Sequence, residues 1–277
     1  MPKMKAARWY DKKDIRVEEV EVPVTGKGQI KIEVKYCGIC GSDLHEYLGG
    51  PIFIPVGTPH PYTGEKAPIT MGHEFCGEVI EVGSEITKFK IGDRVTVEPI
   101  FAKNGLKGKY NLDENLTFIG LGGGGGEFSE YVVVNEDQAH KLPEKVDYEQ
   151  GALTEPASVA LYAVRQSKFK VGDTAAVFGC GPIGLLIIDA LRASGATEIY
   201  AVELSPERQE IAAKLGAVIV DPSKVDAVKD IKERTGGGVN VSFEVTGVPA
   251  VLQQALESAE NDGELIVVSI WETQAPI

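Results

Sequence analysis

Between Val177 and Gly184 the chain reads VFGCGPIG, which puts Gly179, Gly181 and Gly184 in G-x-G-x-x-G register. The run follows a strand pattern, TAAVF, and opens a helix pattern, PIGLLIIDALRAS. That strand–turn–helix setting is what a bare glycine motif lacks, and it points to a dinucleotide-binding turn. Gly179 makes the tight turn, Gly181 lets the pyrophosphate approach the backbone, and Gly184 lets helix and strand pack closely. Pro182 and Ile183 open the helix, whose first N–H groups are free to hold phosphate. Cys180, inside the motif, reads as a small buried side chain.

The surrounding sequence repeats the same grammar. TAAVFG, EIYAVEL, AVIVD, VNVSFEVTG and GELIVVSI read as five strands, and four helical patterns alternate with them, ending in PAVLQQALESAE. This alternation predicts a doubly wound parallel sheet. Glu203 ends the second strand, 24 residues beyond Gly179. A carboxylate there accepts both adenosine-ribose hydroxyls and repels a 2′-phosphate, which selects NAD over NADP. Arg208, in the next helix, weakens that preference slightly. A sheet of this kind usually has a sixth strand, and an uncovered edge invites aggregation. The stop at Ile277 therefore reads as a sheet truncated after strand five, completed by residues beyond it.

Residues 1–150 are different. MKAARWY, DIRVEEVEV, GQIKIEVKYC, GEVIEVG, GDRVTVEPI and EYVVV are strand-like, with little helical periodicity between them. They predict an antiparallel, barrel-like domain with long loops. Five prolines between Gly49 and Ile69 make that stretch an irregular loop. The expected division is therefore 1–150 and 151–277, the second part starting with two helical pieces that connect the domains. With 41 acidic residues against 28 basic, the formal charge is −13, which argues against a nucleic-acid partner. No apolar run is unbroken enough to span a membrane, no secretory signal opens the chain, and four cysteines make no dense disulfide framework. A cytoplasmic location is the simplest expectation.

CGICGSDLH, from Cys37 to His45, places two thiols, a hydroxyl, a carboxylate and an imidazole within nine residues. A redox pair, half of a zinc knuckle and an asymmetric site are all open readings; a knuckle needs a second C-x-x-C, which the chain lacks. Further candidates are His73 with Glu74, in ITMGHEF, and Glu155, in TEPASVA. Each residue alone also suits a structural role: His73 in a core, Glu155 at a helix start, Cys40 as a small hydrophobe. A thiolate and one carboxylate neutralise a zinc dication, and a second carboxylate leaves an excess anion. Glu74 and Glu155 are therefore not expected to be equal, permanent ligands.

CGICGSDLHEY, APITMGHEFCGEVIEVG, GDRVTVEP, LTEPASVALYAV, VFGCGPIGLL and FEVTGVPAVLQQAL together resemble the zinc-dependent medium-chain dehydrogenase/reductase family. The resemblance runs from Met4 to the end and is strongest to the butanediol and sorbitol dehydrogenase branch. It implies a GroES-like catalytic domain, a Rossmann coenzyme domain and an active site in the cleft between them. It also implies one catalytic zinc on Cys40, His73 and Glu155, with Glu74 able to exchange onto it. Ser42 is implied to pass the substrate proton to His45, and Asp43 to fix His73. Cys37 is left as strand packing. Zinc in such a site polarises an alcohol oxygen, and hydride passes to NAD.

The implied reaction is oxidation of a secondary alcohol, foremost 2,3-butanediol, with acetoin reduction as its reverse. A polyol such as sorbitol or xylitol and a simple secondary alcohol are the alternatives. The sequence departs from the family at FAKNGLKGKYNLDENL, where many relatives carry four cysteines; no structural zinc is expected there. Full-length members are implied to be homo-oligomers. Those two departures, the early stop and the cysteine-free segment, also motivate a reading of another class, a non-catalytic nucleotide- or partner-binding remnant.

Overall fold

The structure, a computed structural model, describes residues 2–103 and 109–271. Residues 104–108 of the cysteine-free segment and 272–277 lie outside them. The chain divides into two compact units, Met1–Glu155 and Pro156–Ile277.

The first unit is antiparallel. β1 (Lys3–Asp11) pairs with β2 (Asp14–Glu21), and β3 (Gln29–Gly38) leads into helix α1 (Gly41–Gly49). β4 (Ile69–Thr70) adds to β1, giving the order β2-β1-β4. Then come β5 (Glu74–Val82), β6 (Arg94–Val97), β7 (Ile100–Phe101), β8 (Thr117–Phe118), β9 (Tyr131–Asn135) and β10 (Ala139–Lys141). The main sheet runs β10-β6-β5-β3-β9, and β7 pairs with β8. GDRVTVEPI was expected as one strand; it splits into β6 and β7 at Pro99, which has no N–H to give a ladder. One core packs Ile30, Ile32, Phe75, Val79, Val95 and Val132. A second holds Trp9, Ile54, Ile69, Met71 and Leu121. Cys37 packs on the edge of the first core.

The two connecting helical pieces are α2 (Tyr148–Ala152) and α3 (Thr154–Gln166). The second unit then alternates β11 (Thr174–Phe178), α4 (Pro182–Ala193), β12 (Glu198–Val202), α5 (Pro206–Lys214), β13 (Val218–Val220), α6 (Ala227–Thr235), β14 (Val239–Glu244), α7 (Pro249–Ser258) and β15 (Ala259–Val267). All pairings are parallel, in the order β13-β12-β11-β14-β15. Period-two alternation covers both faces. Ala175 and Val177 of β11 pack with α3, α4 and α5 residues such as Ala163, Ile187 and Ala212. Ala176 and Phe178 point the other way, with Ile231 of α6 and Ala255 of α7. β15 starts earlier than the expected GELIVVSI, because its register shifts between the Val239–Ala259 and Val241–Glu264 pairs.

Candidate metal and coenzyme sites

Helix α1 was not expected from the sequence, and it organises the first site. Cys40 is its N-cap with extended backbone, and the Asp43 carboxylate accepts the Cys40 backbone N–H at 3.0 Å. An acid in the first helical turn that reaches back to the cap residue is half of a capping box. The local signal was the C-x-x-D spacing, hidden because cysteine is not a usual cap.

β5 starts at Glu74, so His73 and Glu74 enter the site from the sheet, where Glu74 pairs with Gly38 on β3. A donor atom from each of Cys40, His73 and Glu74 lies within 4.8 Å of the others. His73 Nδ1 faces Asp43, 3.7 Å from Oδ1, which is longer than a hydrogen bond; both atoms are buried without a partner. On the other edge of the ring, Ser42 Oγ lies 3.2 Å from Nε2. His45 is half-buried three residues along the same helix. Glu155, half-buried at the start of α3, stands outside the three-residue cluster.

Burial shapes the electrostatics. It pushes the Cys40 thiol up to about 12 and raises Glu74, and it pushes His73 down to about 4. Asp43 rises to about 7, through burial first and then the Glu74 charge. Glu155 also rises to about 7, by burial and then by the charges of Glu74 and Asp43. So Glu155 feels the cluster without belonging to it. Acids crowd together here, and no Lys or Arg is among the groups that shift them in the described residues. A divalent cation is the charge that opposes the upward shifts of the thiol and the acids, and it favours the same neutral His73 that burial does. Thiolate, imidazole and carboxylate suit zinc, so the residues fit one catalytic ion.

Two carboxylates beside this site were not singled out in the sequence. Glu46, fully buried on α1, accepts the backbone N–H groups of Ile52, Phe53 and Ile54 and so fixes the proline-rich loop. Glu127 is buried with neither oxygen hydrogen-bonded. An acid next to a glycine run gives no sequence sign that it points inward.

In the second unit Gly179 has φ +94, a conformation that favours glycine. A Cβ on Gly184 would collide with the Gly179 carbonyl oxygen, whereas one on Gly181 meets nothing within 4 Å. Gly181 caps α4 and Pro182 opens it, leaving free N–H groups at its start. Ile183 packs on the core. Glu203 is buried at the end of β12, and its oxygens accept from Cys180 N at 2.7 Å and from Leu204 N and Ser205 N at 2.8 Å each. Arg208 is exposed, its Nη1 4.0 Å from Glu203. Cys180 is a buried core thiol.

Comparison with known proteins places both halves. Residues 26–144 match the Alcohol dehydrogenase GroES-like domain family, and residues 182–277 match the Zinc-binding dehydrogenase family. An (R,R)-butanediol dehydrogenase of Bacillus subtilis is 67% identical over 275 residues, covering 99% of this chain and 80% of that protein. A sorbitol dehydrogenase of the same organism is 38% identical, covering 96% of this chain and 75% of its own length. The crystal structure of 2R,3R-butanediol dehydrogenase from Bacillus subtilis matches with a TM-score of 0.94 at 67% identity, over 99% of this chain and 79% of that one. No helix among the described residues is long and apolar enough to cross a membrane. With a zinc-type donor cluster on a GroES-like unit and a glycine-turn dinucleotide site on a parallel sheet, the chain belongs to the zinc-dependent medium-chain dehydrogenase/reductase family.

Proposed function

We propose that this chain is an NAD-dependent zinc alcohol dehydrogenase that oxidises a vicinal secondary diol of the 2,3-butanediol type and reduces acetoin in reverse. The observation that carries it is the Cys40–His73–Glu74 cluster in a chain 67% identical to an (R,R)-butanediol dehydrogenase.

Cys40, His73 and Glu74 would hold the ion, and Glu155, expected from the sequence as the third ligand, would be the exchangeable donor instead. Zinc in that donor set supplies Lewis-acid polarisation of the alcohol oxygen and lowers its pKa. Nδ1 of His73 faces Asp43, so Nε2 is the nitrogen that would be offered to the ion, and Asp43 is the acid placed to orient the ring. Ser42, on the Nε2 side, has a short hydroxyl that both accepts and donates, so it takes the substrate proton. His45 follows at i+3 on α1, on the same helix face, and passes the proton to water. In the other unit, Gly181, Pro182 and Ile183 hold the pyrophosphate at the α4 N-terminus, and Glu203 receives the adenosine ribose. Arg208, tethered near Glu203, is the neighbour that tunes rejection of a 2′-phosphate.

The four cysteines are free thiols, which supports a cytoplasmic setting. A homo-oligomer is the assembly we assign, with β15, one of the two edge strands of the parallel sheet among the described residues, as the candidate contact. The test is a panel of stereochemically defined butanediols, sorbitol, xylitol and simple secondary alcohols with NAD and NADP, run beside Cys40→Ser. Highest kcat/KM on a butanediol isomer with NAD is expected. Preference for sorbitol moves the substrate to the polyol class, and full activity in Cys40→Ser removes the zinc assignment.

A further inference from the structure

The parallel sheet changes direction between β11 and β14: β12 and β13 add on one side, and β15 adds on the other. Ligands of such sheets bind at the carboxyl ends of the strands flanking that point. Glu244 is the last residue of β14, paired with Phe178 on β11 and with Val267 on β15. Its side chain is fully buried at this junction.

Four donors converge on that carboxylate. Oε1 accepts the backbone N–H of Thr246 at 2.6 Å, that of Gly247 at 3.0 Å, and the Thr246 hydroxyl. Oε2 accepts the hydroxyl of Ser269, just past the end of β15. The main chain repeats the link, since Val268 N–H donates to the Glu244 carbonyl at 2.9 Å and Val245 N–H donates to Phe178 O at 3.0 Å. The turn so held touches the glycine motif: a Cβ on Gly179 would lie 2.6 Å from Thr246 Cγ2. Gly247, at φ +71, is equally confined, with Ile270 O 2.7 Å from where its Cβ would be.

We propose that Glu244 is a positioning residue for the coenzyme, clamping the 246–247 turn and Ser269 into one wall opposite the glycine turn. A sheet brace needs no carboxylate at this place; the β14 and β15 ladders already join the strands. What the carboxylate adds is a fixed position for Thr246 against Gly179, and Gly179 sets the turn that presents the phosphate-binding amides. Glutamine keeps the shape but turns one acceptor into a donor facing donors, so the clamp opens on one side.

The inference rests on the dinucleotide reading of Gly179, Gly181 and Gly184. The experiment uses the full zinc-loaded chain with Glu244→Gln and Ser269→Ala, and measures the NADH dissociation constant by fluorescence titration, zinc per chain, and KM for both substrates. NADH dissociation constants about tenfold higher for Glu244→Gln and about threefold higher for Ser269→Ala are expected. Zinc content and KM for the alcohol stay unchanged, and Glu244→Asp recovers part of the affinity. A Glu244→Gln protein that is folded by circular dichroism and binds NADH as wild type overturns the clamp. If that variant does not fold, Ser269→Ala decides: unchanged NADH affinity overturns the clamp as well. Wild-type protein that fails to bind NADH overturns the dinucleotide reading first, and the clamp falls with it.

Discussion

The carboxylate of Glu203 accepts the backbone N–H of Cys180 at 2.7 Å, which joins the end of β12 to the middle of the glycine turn. Its second oxygen accepts from Leu204 and Ser205. The acid we assign to the ribose is thus held by the turn's own backbone. On that assignment it serves two ends at once: it shapes the turn, and it supplies the charge that would select against a 2′-phosphate.

Glu203→Ala leaves three backbone donors without their acceptor and removes that charge. KM for NAD is expected to rise at least tenfold, about 1.4 kcal/mol or more. The preference for NAD over NADP should narrow, while kcat at saturating NAD changes less. Steady-state kinetics with both coenzymes checks this. An unchanged NAD/NADP ratio would contradict the assignment.

The glycines of the motif separate into two classes. Gly184→Ala drives a methyl into the Gly179 carbonyl, and backbone cannot yield as a side chain can. A loss of about 3 kcal/mol or more of stability is expected, visible as a fall in melting temperature or in soluble yield. Gly181→Ala meets open space at a φ of −68 that alanine adopts freely. It should melt within a few degrees of wild type yet bind NADH at least tenfold more weakly, because the methyl occupies the path of the pyrophosphate. Equal NADH affinity in Gly181→Ala and wild type would show that no phosphate passes there.

The alternation of β11 to β15 with their helices was readable because the strands are short apolar runs bounded by turn residues, α4 carries period-3.6 apolar spacing, and α5 is marked by a Ser–Pro start and a Gly stop. The antiparallel strands β1, β2, β3 and β9 were readable for the same reason. Helix α1 was not, since it is one short segment after Gly-Ile-Cys whose cap is a metal-ligating cysteine and whose buried residues, Ser42, Asp43 and Glu46, are all polar. Apolar periodicity cannot reveal a helix that buries its polar face. The ligand candidates Cys40, His73 and Glu74 could be named from the motifs, but their convergence lies in the pairing of β3 with β5, 33 residues apart for Cys40 and His73. The roles of Glu127 and Glu244 depend on which way an acid points, and composition carries no such direction.

Ser42 is the second residue of α1, with its oxygen 3.2 Å from His73 Nε2, buried from bulk water. If it carries the substrate proton, Ser42→Ala lowers kcat about 100-fold, with zinc content unchanged. Ser42→Thr keeps a hydroxyl and should recover a good part of the rate. The discriminating measurement is the pH profile of kcat, whose shape changes in the alanine variant and returns in the threonine one. Equal losses in both variants would mean packing, and not proton transfer, is what Ser42 provides.

Glu127 supplies a stability test at a distance from coenzyme chemistry. Its carboxyl is buried with no hydrogen-bond partner, and burial, helped by the Asp43 charge, holds its pKa well above the usual glutamate range. The folded state therefore keeps a proton that the unfolded chain releases once pH passes about 4.5. Because the folded state binds more protons, stability falls as pH rises, with a slope of up to about 1.4 kcal/mol per pH unit from this one group. That contribution is intact below about pH 4.5 and is lost toward the raised folded-state pKa. Glu127→Gln removes the titration while keeping the shape. Melting temperatures from pH 5 to pH 8 should show the variant gaining on wild type at each step upward, with the two converging at the acidic end. A difference that stays constant across that range would place the Glu127 carboxyl in contact with solvent or a partner cation, and the buried-acid description would be wrong.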